Sequence, residues 1–179
     1  TFTLIQFTAT AIVRERERGT LEQLQVTPAT RAELILGKIM PFIFIGYFQF
    51  TLAVLMMRWL FKVEIMGSVL ELYIVGFLFM AAVLGLGMLI STIAETQMQA
   101  SQMSMFFLLP FVFLSGFVFP IAGMPKIFQW ISAIVPAKYF IDVIRGIVLR
   151  GSSMLDLWRP TALLATYTFL IITLAVARF

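Results

Sequence analysis

Long uncharged apolar runs alternate with short polar segments along this chain, which is the pattern of a protein with several membrane-spanning helices. A helix needs about 20 apolar residues to cross the hydrocarbon core of a bilayer. Four runs are close to that length and predict complete spans at residues 39–58, 72–94, 100–117 and 160–177. Residues 1–13 are also uncharged but are too few to cross, so we interpret them as the end of a further span that begins upstream.

The connection at residues 118–159 is apolar but is interrupted by helix-breaking residues. Pro125, at the first helical position, and Pro136 bound a short stretch with apolar residues at helical spacing. A helix of about ten residues rises only about 15 Å and cannot span a bilayer. Because irregular backbone at membrane depth must be satisfied by protein or water, we predict a re-entrant or interfacial helical pair. Its second helix is predicted to end at Arg150, with Gly151 just beyond.

Composition indicates the same class of protein. Hydrophobic residues make up 61% of the chain, charged residues 12%, and the mean hydropathy is +1.00, whereas a soluble domain is about one quarter charged. The predicted fold is therefore an all-α polytopic membrane protein with about five spans, one of them partial. The net charge of +4 does not indicate a nucleic-acid partner, since the basic residues flank spans and form no stripe.

The residue types that are missing exclude several kinds of chemistry. The sequence has no Cys and no His, which removes disulfides, thiol nucleophiles, imidazole catalysis and the usual zinc ligands. It also has no phosphate-binding loop of the Gly-x-x-x-x-Gly-Lys-Ser/Thr type, so ATP is not expected to bind through such a site. We predict no catalytic residue, no metal site and no directly bound cofactor.

One segment near the start of the chain is highly charged. Nine of the first 38 residues are charged, and all nine lie within residues 14–38. Thr20-Leu21-Glu22-Gln23 fits a capping box that begins a short helix, and Pro28 breaks this helix. A second capping box, Thr30-Arg31-Ala32-Glu33, opens directly into the span at residue 39.

A solvated linker is the alternative interpretation of this charged segment. A linker, however, needs neither two capping signals nor a pair of leucines on one helix face. Leu21 and Leu24 share one face of the predicted short helix. The pattern therefore favours a segment that docks on a soluble partner.

The charged segment also carries a family resemblance. The pattern Glu15-Arg16-Glu17-Arg18-Gly19-Thr20-Leu21-Glu22, followed by Thr27-Pro28 and Gly37-Lys38, resembles the ABC-2 type permeases of ATP-binding-cassette exporters, especially the bacterial drug-efflux type. The resemblance extends over the whole chain and implies that residue 1 lies in the second of six spans. It further implies that residues 14–38 are a cytosolic coupling loop on a separate ATPase subunit, which binds ATP with magnesium. The residues implied in coupling are Glu15, Arg16, Arg18, Gly19, Thr20, Leu21, Glu22 and Leu24.

Residues 118–159 resemble the segment that follows the fifth span in the same family, through motifs such as Phe119-Pro120 and Ile144-Arg145-Gly146. The resemblance implies a re-entrant pair on the extracytoplasmic side, near the exit of the substrate path. It also orients the chain, because the cations divide almost evenly between the two sides and the positive-inside rule does not decide. The residues implied in this exit gate are Pro120, Met124, Pro125, Trp130, Pro136, Tyr139 and Arg145.

Several residues within the spans predict packing or substrate contact. Small residues at Ala81, Gly85, Gly87 and Ser91 favour close helix packing over a pathway role. Gln49 lies in mid-span and needs a partner, which is either another helix or the substrate. Phe48 belongs to an aromatic stripe that faces either lipid or an apolar substrate route.

The function predicted from these features is that of a permease subunit. It would move hydrophobic or amphipathic substrates, drugs above all, outward across the inner membrane of the cell. A second permease chain, identical or different, would complete the path within the lipid bilayer. Export of lipids or glycans by the same machinery is the nearest alternative. A secondary transporter or a membrane enzyme is less favoured, since no intramembrane charge, matched pair of broken helices or nucleophile–base set is present.

Overall fold

The structure, a computed structural model, describes residues 2–18 and 31–178. Within these two ranges there are seven α-helices, one 3-10 turn at Ile121–Gly123 and no β-strand. The helices are α1 (Phe2–Glu17), α2 (Arg31–Trp59), α3 (Val69–Ile93), α4 (Gln97–Phe113), α5 (Lys126–Ser132), α6 (Pro136–Arg150) and α7 (Trp158–Arg178). The predicted all-α class is confirmed.

Three helices are long and apolar enough to cross a membrane, namely Ile39–Trp59 within α2, Val69–Ile93 and Trp158–Arg178. They agree to within three residues with three of the predicted spans. The span predicted at residues 100–117 corresponds to α4, which has 17 residues and ends at Phe113. It lies at the short end of the range for spanning helices, and its crossing of the membrane stays a prediction.

The helix α2 links the charged segment to a span without a break. It begins at Arg31, where the second capping box predicted a helix start, and runs to Trp59 although Pro41 lies inside it. Proline removes one backbone hydrogen bond, but membrane helices tolerate it because neighbouring groups satisfy the freed carbonyl. The short helix predicted at residues 20–28 lies outside the described residues.

The chain divides into two compact units, each assembled from separate stretches. The first unit comprises Thr1–Gly46, Met80–Leu108 and Phe169–Phe179. At its centre Ile12 of α1, Met88 of α3 and Ala175 of α7 form an apolar cluster with at most 2% of each residue exposed. Small residues of α3 allow this packing, since Gly85 lies against Ile171 of α7 and Gly87 against α1. The close packing predicted from these small residues is confirmed at both glycines.

The second unit comprises Tyr47–Phe79 and Leu109–Thr168. Phe79 of α3 stacks on Phe140 of α6, with 3.9 Å between ring centroids. The loop that precedes α3 also contacts α6, because the Met66 N–H donates to the Val148 carbonyl at 3.2 Å. Helix α6 is therefore held within this unit by both ring packing and a backbone hydrogen bond.

Candidate functional site

The end of α1 carries the described part of the predicted coupling segment. Glu15 and Arg16 lie in the last turn of α1, which continues four residues beyond the predicted boundary at residue 13, and Arg18 follows directly. The other five predicted coupling residues lie outside the described ranges, so their role stays a prediction. They are Gly19, Thr20, Leu21, Glu22 and Leu24.

Glu17 binds the first residue of α4 with both carboxylate oxygens. Its Oε1 accepts the backbone N–H of Gln97 at 2.9 Å, and its Oε2 accepts the Gln97 side-chain amide. These two hydrogen bonds, the side-chain one first, hold the pKa of Glu17 below its ordinary value. A carboxylate at a helix N-terminus also interacts favourably with the helix dipole. The end of α1 is therefore fixed to the start of α4.

The neighbouring Arg16 binds the other side of the same turn. Its guanidinium donates to the carbonyl oxygen of Ala94, just after α3, at 3.4 Å. The turn is also closed by its own residues, because the Glu95 N–H donates to Gln99 Oε1 at 2.9 Å and the Gln99 N–H to Thr96 Oγ1 at 3.2 Å. The α3–α4 turn thus forms one hydrogen-bonded surface with the end of α1.

A second polar contact between α1 and α4 lies deeper in the first unit. The Gln6 amide donates to Ser101 Oγ at 3.0 Å. Thr8 is also buried in this unit, and its hydroxyl has no hydrogen-bond partner among the described residues. Hydrogen bonds between membrane helices are worth about 1 kcal/mol each, so the Gln6–Ser101 contact helps to fix the register of α1 on α4.

The predicted exit gate forms part of the second unit. After α4 the chain turns at Gly116, whose φ of +79° suits glycine. The Arg145 guanidinium of α6 donates to the Gly116 carbonyl at 3.2 Å and so fastens this turn. Pro125 immediately precedes α5 rather than beginning it, which corrects the predicted position by one residue. Pro136, predicted to end the first helix of the pair, is instead the first residue of α6, because α5 already ends at Ser132. Gly151 follows Arg150, the last residue of α6, with a φ of +63°, as predicted.

An apolar cavity of about 460 Å³ lies beside the 3-10 turn. Among the exit-gate residues, Pro120, Met124 and Pro125 line it, and the remaining lining residues are Phe113, Leu114, Phe119, Gly123 and Phe128. The cavity is wide open on one side, and its apolar lining offers contact to apolar groups. The structure therefore brings three of the predicted exit-gate residues together around one cavity.

The other exit-gate residues do not line this cavity. Trp130 is 79% exposed on α5. The Tyr139 hydroxyl donates to the Ala133 carbonyl at 2.7 Å, and burial raises the pKa of this phenol. Lys138 donates to Ser132 Oγ at 3.5 Å. Tyr139, Lys138 and Pro136 therefore fix α6 against the end of α5, which is a positioning role.

Two hydrogen-bonded contacts between distant segments were not predicted. One is the Glu17–Gln97 pair, although Glu17 falls within the family pattern. The other is Glu71 in the first turn of α3, which accepts Ser153 Oγ at 3.1 Å and the Met154 N–H at 2.9 Å. In each contact the two bonded residues are about 80 residues apart in the sequence, so no local pattern could have indicated that they meet.

The candidate pathway residues have few partners within the chain. Phe48 is 67% exposed. No hydrogen bond joins Gln49 to any other described residue. Two other hydrogen bonds join α2 and α3 in this region: the Tyr73 hydroxyl donates to Thr51 Oγ1 at 3.0 Å, and the Tyr47 hydroxyl donates to the Tyr73 carbonyl at 3.4 Å. The predicted helix partner for Gln49 is thus absent from residues 2–18 and 31–178. A pathway role for Phe48 and Gln49 stays a prediction.

In the described residues, the helical architecture with three helices apolar and long enough to cross a membrane is that of a polytopic membrane protein. Residues 1–149 match the ABC-2 type transporter family, and the chain therefore belongs to this family. In the part of the chain that the structure describes, no group of three or more acidic, His or Cys side chains could hold a metal ion.

Curated relatives support the same assignment. The chain is 37% identical over 165 residues to "Probable multidrug ABC transporter permease YbhS" of Escherichia coli, a match that covers 92% of this chain and 42% of the relative. It is 33% identical to "Probable multidrug ABC transporter permease YbhR", a match that covers 84% of this chain and 41% of the relative. It is 32% identical to "Inner membrane transport permease YhhJ", a match that covers 100% of this chain and 48% of the relative. The chain thus spans less than half the length of these relatives. No solved structure matches it significantly.

Proposed function

We propose that this chain is part of the permease subunit of an ATP-driven exporter, and that residues 14–38 couple it to a separate ATPase. The observation that carries the proposal is the ABC-2 family match over residues 1–149. The continuous helix from Arg31 into the span at Ile39 supports it, because a displacement of the charged segment would pass directly into the membrane. ATP, with magnesium, would bind on the ATPase.

The mechanism follows from this continuity. Closure of an ATPase dimer around ATP displaces the cytosolic segment at residues 14–38. The helix α2 transmits the displacement because it runs without a break from Arg31 into the span at Ile39, although Pro41 removes one of its backbone hydrogen bonds. Two permease chains, identical or different, then rearrange around a central path and open it outward across the inner membrane.

The substrate class in this proposal is hydrophobic or amphipathic small molecules, drugs above all. The apolar lining of the cavity beside Met124 offers contact to such molecules. The relatives named as multidrug permeases point to the same class. Lipid or glycan export by the same machinery is the alternative, and it requires the same ATPase.

The first test is purification of the full-length protein in mild detergent. A stoichiometric ATPase should accompany the wild type and be lost from a variant that lacks Gly19–Glu22. Glu64→Ala, which changes an exposed carboxylate in the α2–α3 loop, serves as the control and should retain the ATPase. Absence of any ATPase from the wild type would contradict the proposal.

The second test addresses the substrate. Inside-out vesicles would be given ATP with a lipophilic cationic dye, a fluorescent phospholipid or a labelled lipid-linked glycan. ATP-dependent uptake of the dye supports drug efflux. Uptake of only the phospholipid or only the glycan assigns the alternative substrate class.

A further inference from the structure

The Glu17–Gln97 pair joins two segments that are 80 residues apart in the sequence. Glu17 is the last residue of α1 and belongs to the charged segment at residues 14–38, and Gln97 is the first residue of α4. One carboxylate accepts both the backbone and the side-chain N–H groups of the same residue. Such a two-point contact fixes orientation as well as distance, and hydrogen bonds to an ionised group are stronger than neutral ones.

The contact does not stand alone. Arg16 donates to the Ala94 carbonyl on the far side of the turn. The Gln6–Ser101 hydrogen bond repeats the connection between α1 and α4 eleven residues earlier on α1, close to three helical turns and so on the same face. Helix α1 therefore contacts α4 through polar groups at two levels. Of these contacts, the two hydrogen bonds of Glu17 are the ones made directly to the first residue of α4 at the end of α1.

We propose that Glu17 and Gln97 form a latch through which a displacement of the charged segment reaches α3 and α4 as well as α2. The latch rests on the proposed function, because it transmits the motion that the ATPase would cause. It makes Glu17 and Gln97 positioning residues for transport. The motion then enters the membrane along two routes, through the backbone at Arg31 and through the side-chain pair at the α3–α4 turn.

A cross-link tests the contact itself. These 179 residues contain no cysteine, so Glu17→Cys with Gln97→Cys introduces a single reactive pair among them, and any cysteine elsewhere in the full-length protein is first replaced by serine. Rapid disulfide formation in native membranes is expected. Glu17→Cys with Met98→Cys is the matched control and should react more slowly, because residue 98 lies about 100° around the helix from residue 97, which is the residue that contacts Glu17. Failure of the first pair to react faster than the control would overturn the latch.

Site-specific labels test transmission without knowledge of the substrate. An environment-sensitive fluorophore is attached in the reconstituted complex to Met98→Cys in α4 or to Gly37→Cys in α2. Both positions are exposed. In the wild-type background, ATP should change the signal at both labels. With Glu17→Ala, the change at residue 98 should fall at least about fivefold, the scale of ordinary coupling free energies, while the change at residue 37 persists.

Two further variants separate the latch from general damage. Glu95→Gln changes another carboxylate of the same turn. The Glu95 carboxylate makes no hydrogen bond to another described residue, so this variant should behave as wild type. Glu17→Gln with Gln97→Glu exchanges the partners, since the amide at 17 can accept the backbone N–H and donate to the carboxylate at 97. This exchange should restore the signal at residue 98.

The outcomes distinguish the latch from the proposed function. If Glu17→Ala leaves the response at residue 98 unchanged, or if the exchange fails to restore it, the latch is overturned while coupling through α2 stands. If neither label responds to ATP in the wild type with its ATPase bound, the proposed function falls, and the latch loses its role with it.

Discussion

Gly87 of α3 lies directly against the backbone of Ile5 in α1. A β-carbon at Gly87 would stand 2.9 Å from the Ile5 carbonyl oxygen and 2.9 Å from Cβ of Thr8. Neither atom is the end of a flexible side chain, so even one methyl group requires the two helices to separate. The position of α1, and with it the position of Glu17, therefore depends on the absence of a side chain at residue 87.

Substitution of Gly87 should destabilise the first unit. Gly87→Ala is expected to cost about 1–3 kcal/mol, the range for overpacking a tight interior. The measurement is the thermal unfolding midpoint in detergent. Gly37→Ala is the control, because a β-carbon there meets nothing within 4 Å, and alanine favours helix over glycine by up to about 1 kcal/mol. A lower midpoint for Gly37→Ala than for Gly87→Ala would contradict this explanation.

Glu71 should stabilise the second unit. Its carboxylate holds the loop after α6 through Ser153 and Met154. Glu71→Ala is expected to cost about 1–3 kcal/mol, because the hydrogen bonds are to a charged group and the Met154 N–H loses its partner. Unfolding of this variant is compared with Glu64→Ala, an exposed carboxylate for which a change within about 0.5 kcal/mol is expected. Equal effects of the two substitutions would show that the Glu71 contacts contribute nothing to the free energy of unfolding.

The Glu17–Gln97 contact should make stability depend on acid pH. Because hydrogen bonds from Gln97 lower the pKa of Glu17 from its ordinary value of 4.5, the ionised carboxylate stabilises the folded state. This contribution is fully present above pH 4.5 and is lost as the pH falls through the lowered pKa of the folded protein. Glu17→Gln and Gln97→Ala should each remove this part of the pH dependence. Acid unfolding curves of the wild type and both variants provide the measurement, and identical curves would refute the prediction.

A larger side chain at position 124 should fit into the cavity and should slow export of the substrate. Met124→Trp is expected to fill part of the volume of about 460 Å³ and to slow dye export severalfold. Binding of the ATPase should not change, since Met124 belongs to the second compact unit and residues 14–38 belong to the first. Leu155→Trp, at a position that is 83% exposed, controls for the added indole. Unchanged export by Met124→Trp would remove this cavity from the pathway.

Local sequence signals predicted some of the helix boundaries. The second capping box predicted the start of α2 at Arg31, and Gly151 follows the end of α6 as predicted. Pro136 was predicted to end the helix before it but begins α6 instead, because α5 already ends at Ser132. The prediction was less accurate for α4, which covers 97–113 rather than 100–117. Hydropathy alone set that boundary, and the apolar residues continue past the turn at Gly116.

The sequence by itself determined the class of the protein, because hydropathy and charge fix which segments can enter a membrane and which cannot. It also determined the family, because the pattern at residues 15–22 is local and contiguous. Only the tertiary structure decided the contacts that position the site, such as Glu17 with Gln97 and Glu71 with Ser153. These pairs depend on which helices lie side by side, and periodicity shows which face of a helix is apolar without showing which neighbour that face meets.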